Sequence, residues 1–101
     1  MNNQIVITND GSHSIFNATI NECYHSKNGA IIEAEHVFIK NGFSAANKTK
    51  LNILEVGFGT GLNALLTRQK ADNKRVYVNY HTIECYPVSQ NDYLQLNLYY
   101  T

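Results

Sequence analysis

Three glycines on alternate positions, following a short apolar run that ends in an acid, constrain this chain more than any other feature. Residues 51–61 read LNILEVGFGTG, and the next nine, LNALLTRQK, carry leucines at helical spacing. The run predicts a buried strand, the glycines a tight turn and the following residues a helix leaving that turn. Strand, glycine turn and helix together build a nucleotide-cofactor site. Gly57, Gly59 and Gly61 have no side chain, so the turn can take unusual backbone angles and a ligand can approach the main chain closely.

The spacing separates two classes of cofactor. Dinucleotide folds use G-x-G-x-x-G with the pyrophosphate on the helix N-terminus, whereas this chain has E-x-G-x-G-x-G with Glu55 at the strand end. An acid so near the ligand repels a pyrophosphate. It suits a positively charged ligand, and S-adenosylmethionine carries both a sulfonium and an amino group. A second acid points to the same place. The alternating, β-branched and aromatic run RVYVNYHTI (75–83) predicts the next strand and ends at Glu84. Glu84 lies close to the roughly 20-residue offset at which a second-strand acid accepts hydrogen bonds from ribose hydroxyls.

The remaining organisation follows from turn and periodicity signals. Residues 4–8 and 13–16 are expected to pair as a hairpin around Asn9, Asp10 and Gly11. Residues 28–39 predict a helix capped by Asn28, with a partly apolar face of Ile31, Ile32, Ala34, Glu35 and Phe38, and terminated by Gly42. Residues 44–50 are a polar connector. The motif helix is expected over 60–69, with Asp72 and Asn73 marking the turn back, and a last helix over 88–98 after Pro87. The expected division is 1–50, a hairpin and helix segment, and 51–101, the first βαβα part of a cofactor-binding domain.

Composition narrows the function classes. A 44% hydrophobic content argues against disorder. The formal net charge is zero, so no basic field for nucleic acid is visible. Cys23 and Cys85 form no metal or redox spacing, and His13, His25, His36 and His81 pair with neither cysteine nor acid at zinc-ligand spacing. No metal site is expected. Cys23 and His25, two apart, are not held in the geometry of a nucleophile and its base. Two free thiols, without a secretory segment or a long apolar span, suit the reducing cytoplasm and no membrane. The seven tyrosines read as packing.

At a finer level the chain resembles a known family. The blocks TNDGS (8–12), ECYHSKNGAIIEAEHVFIKNGF (22–43), LNILEVGFGTGLNALL (51–66) and IECYP (83–87) are similar to the methyltransferase that completes the 5-methylaminomethyl group of the wobble uridine in certain tRNAs. That enzyme stands alone in some bacteria and is fused to a flavin oxidase in others. The glycine motif is shared by many methyltransferases, whereas Y-H-S-x-x-G-A-x-x-E (24–33) is far more particular.

The resemblance implies a class I methyltransferase: an α/β, Rossmann-like fold, here its N-terminal portion preceded by a hairpin and helix, with S-adenosylmethionine as donor and a modified uridine in tRNA as acceptor. It implies that Glu55, Gly57, Phe58, Gly59, Thr60 and Gly61 line the methionine and ribose side of the cofactor and that Glu84 holds the ribose. Tyr24, His25, Ser26 and Glu33 are expected over the same cleft. A doubly wound sheet has about six strands, and only two are legible from residue 51 onward. The family's acid facing the acceptor amine lies further along, so no catalytic residue is identified. The expectation is a truncated cofactor-binding part, inactive alone, with an incomplete sheet and an apolar face that self-association as a homodimer or strand-exchanged oligomer would cover. A methyltransferase of another substrate class, a self-associating remnant and a complete small α/β domain remain as alternatives.

Overall fold

Asn9, Asp10 and Gly11 reverse the chain where the turn signal requires. In the computed structural model, which describes residues 3–100, β1 (Asn3–Ile7) pairs antiparallel with β2 (His13–Asn17), Ile5 opposite Ile15. The two-residue β3 (Glu22–Cys23) adds to the other edge of β2, giving the order β1-β2-β3. The chain divides into two units, Met1–Glu33 with Val88–Thr101, and Ala34–Pro87.

In the first unit the C-terminal segment is stitched to the hairpin. The short α4 (Gln90–Gln95) is capped by Ser89, whose hydroxyl accepts from the Asp92 amide at 3.2 Å. A 3-10 turn, Asn97–Tyr100, follows. Asn97 accepts from the His13 amide at 2.8 Å and donates to the Gly11 carbonyl at 2.9 Å. Ile15, Leu96 and Leu98 are fully buried. The single helix expected over 88–98 is therefore broken at Leu96, which is extended. Leucines on alternate positions fit no helical face, and the break turns Leu96 and Leu98 inward while Leu94 stays exposed.

The expected helix beginning near Asn28 forms as α1 (Ala30–Ala34), followed in the chain by a π-helix over Glu35–Phe43 and a last turn, α2 (Ser44–Ala46). Two expectations are corrected here. Gly42 does not end the helix. It lies inside the π-helix, and Asn47 closes α2 in the left-handed conformation at φ 50°, which asparagine tolerates better than most residues. Asn28 does not cap α1 either, because Thr8, Ser12 and Asp10 already hold the helix amides. In the second unit the π-helix buries Ile39 and Phe43 and leaves Val37 and Phe38 exposed.

β4 (Lys50–Val56) leads through the glycine turn into α3 (Leu62–Lys74), and β5 (Tyr77–Ile83) returns parallel to β4. Asp72 and Asn73 do not turn the chain: α3 runs through both, and Asp72 pairs with Arg68 one turn back at 3.8 Å. Arg75 ends the helix at φ 55°, its amide reaching the Ala71 carbonyl. Leu62, Leu66, Thr67 and Ala71 form the buried stripe of α3. One face of the β4–β5 pair carries Leu51, Ile53, Glu55, Val78 and Tyr80, all partly buried. The opposite face carries Leu54, Val56, Tyr77 and Ile83, all exposed. The architecture is a small mixed α/β fold.

Candidate functional site

A parallel register brings the two strand ends, and so the two acids, side by side. Val56 pairs with Ile83, and the Gly57 amide continues the ladder onto the Ile83 carbonyl at 2.7 Å. Gly57, Gly59 and Gly61 all have positive φ, at 91°, 57° and 82°. A β-carbon built on Gly57 meets nothing within 4 Å, so the turn opens onto free space there. Phe58 sits partly buried between the first two glycines, and its carbonyl accepts from the Gly61 amide at 3.0 Å. Thr60 is buried. The turn then delivers the chain into α3, whose first turn includes the bond from the Leu65 amide to the Gly61 carbonyl.

Glu84 closes this turn from the other strand. One carboxylate oxygen accepts from the Gly59 amide at 2.7 Å and the other from the Tyr86 amide at 3.1 Å. The shorter contact has the length of a charge-assisted bond. A carboxylate has about four acceptor positions, so two hydrogen bonds leave it able to accept more.

Glu55 is held by neighbours that sequence reading did not single out. Thr82, directly opposite in register, donates to one carboxylate oxygen at 3.0 Å, and the Asn63 amide group lies 3.4 Å from the other. The Tyr80 hydroxyl bonds the same carboxylate. Burial, then the negative charge of Glu55 and this bond, push the phenol above its ordinary value of 10.0. The Asn63 Oδ1 is buried with no hydrogen-bond partner. An unpaired buried acceptor costs about 1–3 kcal/mol. Strand alternation is the signal that could have found Tyr80 and Thr82, since both lie on the Glu55 face once β4 and β5 pair in parallel.

Tyr24, His25, Ser26 and Glu33 lie in the first unit and are brought together there. The Tyr24 amide donates to the Ile15 carbonyl at 2.8 Å and the His25 amide to the Ser14 hydroxyl at 3.0 Å, docking the segment after β3 onto β2. The Ser26 amide lies 3.4 Å from a carboxylate oxygen of Glu33 on α1. Burial holds His25 below the usual imidazole value, with the charge of Glu33 acting the other way.

The position of Glu33 depends on how α1 is held. Three consecutive amides at its N-terminus are taken by three side chains of the TNDGS turn: Ala30 by Thr8 at 3.2 Å, Ile31 by Ser12 at 3.3 Å and Ile32 by Asp10 at 3.0 Å. The Thr8 hydroxyl is 2.8 Å from Asp10, and the Ser12 hydroxyl also bonds that carboxylate. Partial burial alone would raise the Asp10 carboxyl. The bonds from Ser12, Ile32 and Thr8 outweigh it and hold the group well below the usual carboxylate range. Gly29, at φ 147°, is required by close approach, because a β-carbon there would lie 2.9 Å from an Asp10 oxygen. Asn28 accepts a long bond from Asn9 at 3.4 Å instead of capping the helix.

Among the described residues no three His, Cys, Asp or Glu side chains gather as a metal site, and no helix is long and apolar enough to cross a membrane. Cys23 and Cys85 are free thiols.

Fold and site together define an α/β protein with a glycine turn closed by an acid at the carboxyl ends of two parallel strands. No protein-family model matches the chain. It is similar to the tRNA 5-methylaminomethyl-2-thiouridine biosynthesis bifunctional protein MnmC of Cupriavidus metallidurans, 32% identical over an alignment of 98 residues that covers 91% of this chain and 14% of that protein. The protein of the same name from Aromatoleum aromaticum is 33% identical over an alignment of 100 residues that covers 93% of this chain and 15% of that protein. The crystal structure of MnmC2 from Aquifex aeolicus superposes with a TM-score of 0.77 at 29% identity, covering 87% of this chain and 31% of the other. The chain is thus homologous to a segment of the MnmC proteins. It spans about one seventh of the length of these curated relatives.

Proposed function

We propose that this chain forms the S-adenosylmethionine-binding part of a Rossmann-like class I methyltransferase acting on the aminomethyl group of a modified wobble uridine in tRNA. The observation that carries this reading is the contact of Glu84 with the Gly59 amide. It ties the ribose-type acid of one strand to the glycine turn of its neighbour, beside an opening where a β-carbon on Gly57 would meet nothing. The donor set suits this cofactor. Glu84 retains acceptor capacity for vicinal hydroxyls, the glycine amides offer a neutral main-chain surface, and Glu55 supplies an anion for a cationic group.

When bound, the cofactor supplies a methyl group on a sulfonium. The work of these residues is to hold the nucleoside and its amino-acid tail in one orientation, so that displacement in line with sulfur becomes a matter of position. Phe58 and Thr60 complete the turn. The acceptor tRNA and a cytoplasmic location rest on the similarity to MnmC. The exposed Leu54, Val56, Tyr77 and Ile83 favour a homodimer or strand-exchanged oligomer.

Calorimetric titration of the 101-residue chain with S-adenosylmethionine tests this reading. Saturable one-site binding is expected, with S-adenosylhomocysteine competing. A folded chain that binds neither compound overturns the assignment.

A further inference from the structure

Asn63 has little structural reason to be an asparagine. It stands second in α3, between the buried Leu62 and the rest of the helix stripe, with one end of its amide beside Glu55 and the other buried and unpaired. Rotating the amide offers no remedy, because it would bring the carbonyl oxygen against the Glu55 carboxylate. An apolar side chain of similar size would leave no acceptor unpaired. The group that gains from asparagine is Glu55.

Three uncharged donors converge on that carboxylate: Asn63 from α3, and Thr82 and Tyr80 from β5. Neutral donors orient a carboxylate without cancelling its charge, as a lysine or arginine would. With about four acceptor positions on a carboxylate, three donors leave one open. The result is an anion fixed on two elements, with room for a single strong donor.

Resting on the cofactor reading above, we infer that Asn63, with Thr82 and Tyr80, is a positioning residue that fixes Glu55 for the ammonium group at the amino-acid end of the ligand, at a cost to the fold. The inference separates from the cofactor reading by a pair of ligands. S-adenosylmethionine carries the tail with its ammonium and a sulfonium, and 5′-methylthioadenosine has the same nucleoside with neither the tail nor the charge. A carboxylate set for the cation matters to the first and not to the second.

The experiment compares the affinities of both ligands for the full chain, its Asn63→Leu variant and its Thr82→Val variant, with thermal midpoints measured alongside. Each variant is expected to weaken S-adenosylmethionine by roughly tenfold while 5′-methylthioadenosine stays within about twofold, inside the scatter of one binding constant. The thermal midpoint of Asn63→Leu is expected at or above that of the unsubstituted chain, a readout that a merely structural asparagine would move downward. Thr82→Val keeps the test open should Asn63→Leu not fold. Equal loss of both ligands would mean a loosened turn and overturn the inference, as would unchanged affinity for both. If the unsubstituted chain binds the two ligands equally, Glu55 does not read the cation and this inference falls while the nucleoside site stands. If it binds neither, the cofactor reading falls as well.

Discussion

Asp10 caps a helix that begins twenty residues after it. Local caps are the ordinary solution for the free amides at a helix start, but here Thr8, Ser12 and Asp10 take three successive amides of α1 across the tight approach that Gly29 permits. Because the folded Asp10 carboxyl lies below its ordinary 3.8, its stabilising contribution is complete above that pH. It is lost as the pH falls from there through the folded value. Asp10→Ala is expected to lower stability by about 1–2 kcal/mol at pH 7, the range for a lost helix cap. In urea titrations the difference from the unsubstituted chain should stay constant between pH 7 and 5 and shrink below pH 3.8. A difference that keeps its size at the lowest pH would show that the carboxylate charge is not what holds the helix.

At the scale of elements, the strand and glycine turn of 51–61 and the body of the helix, read over 60–69, were legible because each carries a strong local signal: an apolar run, glycines on alternate positions, and leucines at helical spacing. The hairpin was legible from Asn9, Asp10 and Gly11. What escaped was decided by tertiary contact. Asp72 and Asn73 look like a turn, yet they sit on the exposed side of α3, where the helix extends because Ala71 is buried and Arg75 accepts the left-handed position. No periodicity announces a π-helix, and the cap of α1 came from a remote segment. Among the site residues, Glu84 beside the glycine turn follows from counting positions, whereas Asn63, Thr82 and Tyr80 needed the parallel register to show which face they share. The turn itself yields a clean test, because Gly57 combines φ 91° with open space. Gly57→Ala is expected to destabilise the fold by about 1–2 kcal/mol through backbone strain alone. It should also abolish cofactor binding by placing a methyl group where the ligand approaches the main chain. A variant that folds and binds with unchanged affinity would put the ligand elsewhere.

For the whole molecule, the decisive quantity is how much apolar surface the β4–β5 pair leaves in water. Parallel strands are ordinarily covered on both faces. Here Leu54 is 68% exposed, Val56 81%, Tyr77 62% and Ile83 56%, all on one face. Fully burying a side chain of this kind is worth roughly 1.5–3 kcal/mol, so covering these four competes well with the cost of bringing two chains together. A second copy is a suitable occupant, since β4 and β5 each end the pair and can accept a further strand while the apolar faces meet. The expected outcome is a concentration-dependent dimer by light scattering coupled to gel filtration. Val56→Lys, outside the glycine turn and pointing from the open face, should shift it to monomer, because each dimer would bury two unpaired ammonium groups. The secondary structure seen by circular dichroism should not change. If the unsubstituted chain is a monodisperse monomer at high micromolar concentration, the open face is not a contact between copies. If Val56→Lys leaves the dimer intact, the copies meet through another surface.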